Sequence, residues 1–182
     1  MRLALLQWGH VSEGGDFPVG VNPEALAFDG ANIWVANSGS NTVTKLRTHD
    51  GAILGSFPVG DTPYALAFDG ASVWVANANS LFVTRLRASD GANLGNFPLG
   101  GLPVALAYDG ANLWVVSDTA ATVTKLRASD GATLGTLPLG SLPARVAFDG
   151  TDVWVTMWTT ASVTRLRVSD GTNLGSFPVG PN

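Results

Sequence analysis

The feature that most constrains this chain is a segment that recurs every 40 residues without insertions. The first copy, ALAFDGANIWVAN at residues 25–37, is followed by ALAFDGASVWVAN, ALAYDGANLWVVS and RVAFDGTDVWVTM. All-β patterning with a period near 40 is typical of β-propeller blades, each a four-stranded antiparallel sheet. Turn signals every 8–12 residues and the absence of a 3.6-residue periodicity argue against helical repeats. The sequence therefore predicts an all-β propeller with four blades per chain.

Four strands can be predicted within the first repeat, over residues 25–28, 33–37, 42–47 and 53–59. Asp29 and Gly30 separate the first two strands, and Asp-Gly is typical of a type I′ turn with positive φ at both residues. The fourth strand contains Pro58, which has no N–H to donate to a neighbouring strand. We therefore place the fourth strand at the outer edge of each blade.

The first two strands of a repeat carry apolar residues on both faces, as Leu26, Phe28, Trp34 and Val35 show. A sheet that is apolar on both faces has to stack against neighbouring sheets, as blades do. The tryptophan recurs in the other repeats, as Trp74, Trp114 and Trp154. We expect these four indoles to be mostly buried between blades.

The repeats divide the chain into blades at residues 21–60, 61–100, 101–140 and 141–180, with a leader at 1–20 and a tail at 181–182. The leader ends in DFPVG, which matches the SFPVG that ends the fourth repeat. It could be the outer hairpin of an absent blade, with LALLQWG as a degraded third strand. It could also add an outer strand where a ring closes.

Composition excludes several classes of partner. The net charge of −4 is unfavourable for a nucleic-acid-binding protein, because phosphate contacts need clustered Lys and Arg. No apolar run approaches the roughly 18 residues of a membrane span. The opening MRLALLQWGH is too short in its apolar part for a convincing signal peptide, so we expect a cytoplasmic protein. The chain has no cysteine, which excludes disulfides and thiolate chemistry.

The segment PEALAFDGANIWVANSGSNTVTKLRTHDGAILGSFPVG, residues 23–60, resembles the blades of YVTN and virginiamycin B lyase-like propellers. The resemblance extends over nearly all of residues 17–182. It implies a propeller fold, typically closed by seven blades, which four repeats cannot tile. In the lyase members it implies a histidine that acts with an acid and a divalent metal. The only histidines here, His10 and His49, lie in no matching motif, so the resemblance assigns no catalytic residue.

Some positions differ in every repeat, and they flank the connections from strand two to three and from strand four to the next blade. Propellers place both of these connections on one face, and loops on a rigid scaffold commonly bind ligands. Drift in loops that carry no packing load would produce the same variation. If a ligand binds, we expect it to contact these variable residues: Glu24, Asp61, Tyr64, Asp118 and Trp158.

Eight of the ten basic residues form pairs on the third strands: Lys45/Arg47, Arg85/Arg87, Lys125/Arg127 and Arg165/Arg167. Each arginine in the second place precedes a turn aspartate by three residues, as Arg47 precedes Asp50. We therefore expect structural ion pairs and not an anion-binding ring. The turn aspartates lack the ligand density of a calcium site, so we predict no metal and no cofactor.

Three functions fit these observations. The first is a non-catalytic binding or scaffold module whose ligand, a small molecule, sugar or peptide, the sequence does not identify. The second is a metal-dependent enzyme of the virginiamycin B lyase type, for which Glu24, Asp61, Tyr64 and Asp118 are the available acid and base groups. The third is a recently amplified or engineered repeat assembly without a ligand. Since no catalytic constellation matches, we favour the binding module over an enzyme.

The partner that we expect is a second copy of the chain. Four unclosed blades would expose two apolar blade faces to water, which is unfavourable. A closed four-bladed monomer is the tightest propeller, and the bulky tryptophans favour a wider ring. Two chains joined end to end would supply eight blades. We therefore predict a dimer that closes an eight-bladed ring, with a four-bladed monomer and other assemblies as alternatives.

Overall fold

A computed structural model describes residues 16–180 of the chain, and all of its regular structure is β-strand. The first two blades contain β1 (Pro23–Phe28), β2 (Asn32–Asn37), β3 (Thr42–Arg47), β4 (Ile53–Pro58), β5 (Pro63–Phe68), β6 (Ser72–Asn77), β7 (Phe82–Arg87) and β8 (Asn93–Pro98). The last two contain β9 (Pro103–Tyr108), β10 (Asn112–Ser117), β11 (Thr122–Arg127), β12 (Thr133–Pro138), β13 (Pro143–Phe148), β14 (Asp152–Met157), β15 (Ser162–Arg167) and β16 (Asn173–Pro178).

Each repeat folds into one antiparallel sheet whose strands follow chain order, as in β1-β2-β3-β4. The fourth strand pairs with the third alone and ends at a proline, so that Pro58 lies opposite Thr42 at the outer edge. This confirms the predicted four-stranded blades and the edge position of the fourth strand.

The first strands of successive blades lie side by side, β1 against β5, β5 against β9 and β9 against β13. They therefore line the axis about which the blades are arranged. No comparable packing joins β13 back to β1 among residues 16–180. The described residues form an open arc of four blades, not a closed four-bladed ring.

The core lies between the blades. Trp34 of the first blade is fully buried against Val73 and Val75 of the second blade. Trp74 and Trp114 are equally buried at the next two junctions, which confirms the prediction for three of the four indoles. Trp154 differs, because it is only half-buried. No fifth blade follows it within the described residues, so its outer side lacks a packing partner.

The first blade shows the same effect on its opposite side. Leu26 and Phe28 are 68% and 56% exposed, whereas the equivalent Leu66 and Phe68 are half-buried against the first blade. The expectation that the first strand is buried on both faces is therefore wrong for β1. Its physical cause is that no described blade precedes the first one.

The Asp-Gly turns do not have the predicted type I′ geometry. Gly30 has φ of +95°, but Asp29 is not among the residues with positive φ. The N–H of Asp29 donates to the carbonyl of Asn32 at 3.0 Å, which closes a longer loop. The Asp29 carboxylate accepts the N–H groups of Ala31 and Asn32 at 2.9 and 2.7 Å. Asp therefore stabilises the turn through its side chain, as aspartate commonly does in turns.

Candidate functional site

The variable connections meet on one face of the arc, which we call the connection face. In the first blade, the N–H of Ser38 donates to the carbonyl of Asn22 at 2.8 Å, and that of Gly39 donates to Val21 at 2.9 Å. The same bond joins Ala78 to Thr62 in the second blade. The strand two to three loop thus rests on the segment that enters its own blade. This places the variable positions of each repeat side by side.

A cavity of 240 Å³ lies at the axis, lined by the first strands of all four blades. Three side chains in its wall carry charge or an aromatic hydroxyl, and each comes from a different blade: Glu24 from β1, Tyr64 from β5 and Arg145 from β13. The remaining wall is apolar: Ala25, Ala65, Leu66, Val104, Ala105, Leu106 and Val146. We call this cavity the channel cavity.

The guanidinium of Arg145 lies over the ring of Tyr64, 5.7 Å from the ring centroid. Its Nη1 donates to the carbonyl of Ala144 at 2.8 Å. No carboxylate of residues 16–180 lies within ion-pair distance of this guanidinium, unlike that of Arg165, which pairs with Asp152. Arg145 is exposed, and this cation–π contact leaves donors of its guanidinium available for an anion.

Glu24 supplies the opposite charge in the channel cavity. It is exposed, and one carboxylate oxygen accepts a hydrogen bond from the hydroxyl of Ser38 at 3.2 Å. The carbonyl of Asn22, 3.1 Å from the same hydroxyl, is the alternative acceptor of its single proton. The carboxylate is thereby linked to the connection face, and it retains capacity to accept a donor from a ligand.

The other predicted site residues lie outside the channel cavity. Asp61 is exposed in the connection between the first two blades, where its own N–H donates to the hydroxyl of Ser80 at 2.7 Å. Asp118 is half-buried, and its N–H donates to the carbonyl of Leu102 at 2.9 Å. The structure therefore brings together Glu24 and Tyr64 from the predicted set and leaves these aspartates apart.

Trp158 is 77% exposed and lines a separate cavity of 370 Å³ on the open side of the fourth blade. Its neighbours there include Met157, Val163 and Val179. A role for Trp158 in ligand binding stays a prediction. Its position associates it with the end of the arc and not with the axis.

Sequence reasoning missed Arg145. The signal was present in the repeats, because the equivalent positions carry Ala25, Ala65 and Ala105. A single arginine in an otherwise constant column of small residues indicates a position released from its packing role. The column differs in one repeat only, unlike the columns of Glu24 and Asp118, which differ in every repeat.

The opposite face carries structural ion pairs. Arg47 and Asp50 lie 3.1 Å apart, and the equivalent pairs in the other blades lie 2.9–3.2 Å apart. Lys45 points between blades, over the ring of Trp34 at 5.0 Å, and donates to the carbonyl of Ala88 at 2.6 Å. This confirms the predicted pairing of the arginines with turn aspartates.

Within residues 16–180, no group of three or more His, Asp or Glu side chains is arranged to hold a metal ion. His49 is exposed in the turn before β4, and His10 lies outside the described residues. The same part of the chain has no helix that is long and apolar enough to cross a membrane.

No protein-family model matches the chain, and a search of curated proteins finds no relative. Solved structures share its fold. Hydrazine synthase of Kuenenia stuttgartiensis superposes with a TM-score of 0.80 at 17% identity, covering 94% of this chain and 53% of that chain. A streptogramin B lyase gives 0.74 at 18% identity, covering 88% and 55%. The structure of U3-55K gives 0.81 at 15% identity, covering 91% and 54%.

These neighbours are β-propellers, and they confirm the fold that the resemblance to virginiamycin B lyase-like propellers implied. The chain spans about half the length of the solved structures that it matches. At 15–18% identity the likeness concerns the fold alone, and one propeller fold hosts many unrelated functions.

Proposed function

We propose that this protein is a non-catalytic propeller module that binds a small organic anion in the channel cavity. The observation that carries the proposal is the convergence of Glu24, Tyr64 and Arg145, from three blades, on one cavity. In each of their columns these residues are unlike those of the other repeats. Packing of the blades alone does not require side chains of these three types at the axis.

The chemistry of the cavity favours a carboxylate. The guanidinium of Arg145 has no ion-pair partner among the described residues and offers a planar set of donors, which matches the two oxygens of a carboxylate. Tyr64 lies under the guanidinium and adds an aromatic surface. Leu66, Val104 and Leu106 provide apolar contact for the body of the ligand. Glu24 can accept an N–H or O–H from its far end.

The cavity volume of 240 Å³ limits the size of the ligand. Pockets for drug-sized molecules are commonly about 300–1,000 Å³. The ligand is therefore a molecule of metabolite size and not a folded protein domain. The neighbouring folds include an enzyme, streptogramin B lyase, and a WD40-repeat protein, so the fold itself favours neither catalysis nor scaffolding.

The test is a titration of the isotope-labelled chain with acetate, benzoate and an equal concentration of chloride, followed by NMR. We expect benzoate to shift signals of Tyr64 and Arg145, acetate to shift them less, and chloride to leave them unchanged at matched ionic strength. Arg145→Ala removes the planar donor and should weaken benzoate binding about tenfold or more, since a charged hydrogen bond contributes about 1.5–3 kcal/mol.

Arg47→Ala is the matched control, because Arg47 is an exposed arginine on the opposite face that is paired with Asp50. It should leave the benzoate titration unchanged. The proposal is contradicted if benzoate shifts only residues of the face opposite the connection face, or if Arg145→Ala and Arg47→Ala weaken binding equally. A substrate turnover that EDTA abolishes would instead support the lyase-type alternative.

A further inference from the structure

The two ends of the arc carry the two halves of one kind of junction, each exposed only in part, since Val35 and Leu46 of the first blade are buried. At the first blade the exposed end contains Leu26 and Phe28, which we call the leading face. At the fourth blade it contains Trp154, Phe177 and Val179, which we call the trailing face. Leu26, Phe28, Phe177 and Val179 are all exposed, and Trp154 is half-buried. Apolar side chains grouped in this way on a solvent-exposed surface indicate an interaction site.

The junctions inside the chain show what each face packs against. Between the first two blades, Trp34, Phe57 and Val59 of the first blade share one apolar cluster with Leu66 and Phe68 of the next blade. The equivalents of Trp34, Phe57 and Val59 in the fourth blade, 120 residues later, are Trp154, Phe177 and Val179, which form the trailing face. The equivalents of Leu66 and Phe68 in the first blade, 40 residues earlier, are Leu26 and Phe28, which form the leading face. The trailing face is therefore complementary to the leading face in the same way as the packed faces at the three junctions within the chain.

A polar contact accompanies each internal junction. Lys45 donates to the carbonyl of Ala88 in the next blade at 2.6 Å. Arg85 donates to Ser129 at 2.9 Å, and Lys125 donates to Val168 at 2.6 Å. These bonds fix the relative position of the third strand and the following blade.

Arg165 occupies the equivalent position in the fourth blade, where no following carbonyl is described. Its Nε donates to Asp152 of its own blade at 2.7 Å, as the Nε of Arg85 donates to Ser72 at 3.0 Å. The carbonyls that correspond to those of Ala88 and Ser129 are, in the first blade, those of Thr48 and His49. A leading face placed against Arg165 would supply them.

We infer that the trailing face binds the leading face of a second copy of this chain. Because the contact is head-to-tail, two copies related by a two-fold axis form it twice and close a ring of eight blades. This contact extends the existing blade-to-blade interface across the chain boundary without a new kind of packing. The inference does not depend on the ligand proposed for the channel cavity.

Phe17 already occupies part of the seam. A Cβ on Gly51 would overlap the Phe17 ring, just as a Cβ on Gly91 would overlap Phe57. Phe17 therefore fills on the first blade the place that Phe177 of a second copy would take. Residues 16–20 form no strand, whereas β16 pairs with β15 along its length. Phe17 is the side chain that leaves when the copies join, because displacing β16 would break a strand ladder.

Sedimentation equilibrium of the full chain tests the inference through its mass. We expect a species of twice the 18.8 kDa of one chain, in reversible exchange with the single chain on dilution. A mass of one chain up to high micromolar concentration would overturn the inference. A ladder of larger species would overturn closure by two copies.

Leu26→Arg places an uncompensated charge in the seam and should weaken dimerisation about 100-fold or more. The site is 68% exposed in the single chain, so the blade itself should still fold. The matched control is Leu94→Arg on the edge strand β8, where Leu94 is 40% exposed and far from either end of the arc. Equal dissociation constants for the two variants would overturn the inference.

Two phenylalanines give effects of opposite sign. Phe177→Ala removes a seam contact and should weaken the dimer, whereas Phe17→Ala removes its competitor. Phe17 is 48% exposed and gives up about half of the full burial free energy of a phenylalanine when displaced, so Phe17→Ala should lower the dissociation constant about tenfold. If Phe17→Ala weakens the dimer instead, the assignment of the Gly51 position to Phe177 is overturned. Circular dichroism of both variants at low concentration checks that the blades remain folded.

Discussion

The indole N–H of Trp34 donates a hydrogen bond of 2.8 Å to the carboxylate of Asp29. The same bond, at 2.7–2.8 Å, recurs in the other blades: Trp74 to Asp69, Trp114 to Asp109 and Trp154 to Asp149. The carboxylate also accepts backbone N–H groups of its own turn. Each aspartate therefore joins a surface hairpin to the tryptophan that packs against the next blade. The Asp-Gly signal and the recurrent tryptophan are one structural unit.

Asp109→Ala should destabilise the chain by about 1–3 kcal/mol, because it leaves the indole N–H of Trp114 and two backbone N–H groups without their acceptor. The measurement is the free energy of unfolding from urea titration. Asp130→Ala is the matched control in the same blade, since Asp130 is half exposed and pairs with an exposed arginine. It should cost less than about 1 kcal/mol. Equal losses would contradict the role given to Asp109.

Tryptophan truncation should have unequal effects along the chain. Trp114→Ala empties a fully buried junction and should cost about 3–5 kcal/mol. Trp154→Ala should cost less when the protein is measured as a single chain, because Trp154 is half-buried there. Urea titrations at low protein concentration measure both. An equal cost at that concentration would show that Trp154 is packed within the single chain.

The turn aspartate Asp149 should become protonated at a lower pH than an ordinary aspartate. The backbone N–H of Asp152 first, then the Trp154 indole and the N–H of Thr151, lower the pKa of Asp149 from 3.8 to about 2. A lowered pKa in the folded state stabilises the protein above pH 4. That contribution declines as the pH falls from about 4 towards 2. We expect the carboxyl signal of Asp149 to titrate near pH 2 in an NMR experiment.

Trp154→Phe is the control for that titration, because it removes the indole donor and retains a ring. The pKa of Asp149 should rise, yet stay below 3.8, since the backbone donors Asp152 and Thr151 remain. A midpoint of 3.8 in the unchanged protein would refute the hydrogen-bonded carboxylate.

The sequence was sufficient to predict the fold because every repeat contains the same signals in the same order. Pro58 and its equivalents identified the outer edge, and the apolar tryptophan strand identified the between-blade core. It was insufficient at the two ends. Leu26 and Trp154 carry the same pattern as their more buried equivalents, and only the arrangement of blades reveals that each lacks one neighbour.

The candidate site was predicted in part for a similar reason. Variation between repeats identified Glu24 and Tyr64, which the structure places in the channel cavity. The same variation also selected Asp61 and Asp118, because variation between repeats does not indicate whether a side chain points towards the axis. Arg145 was not predicted because its column holds alanine in the other three repeats and so does not differ in every repeat.

The repeats also suggest a stabilising substitution. Asn41 and Ala121 occupy equivalent loop positions with φ of +54° and +49°, a region that asparagine tolerates better than alanine. Asn41 also accepts the N–H of Thr62 through its side chain at 3.0 Å. Ala121→Asn should therefore stabilise the chain by about 1 kcal/mol, through the backbone and through a bond to Leu142. Thermal unfolding measures the gain.

Ala161→Asn is the matched control, because Ala161 has φ of +44° but no described blade follows it. In the single chain it should gain only the backbone part of the effect. A loss of stability in both variants would contradict this reading of the loop.

The packing of one copy against another is tested most directly by the solvent accessibility of Trp154. Hydroxyl-radical footprinting with mass spectrometry reads the oxidation rate of each tryptophan, and the fully buried Trp114 serves as an internal reference. At a concentration where the chain is dimeric, Trp154 should be oxidised as slowly as Trp114, and Leu26→Arg should restore fast oxidation. Fast oxidation of Trp154 in both proteins, with Trp114 protected in both, would contradict the account.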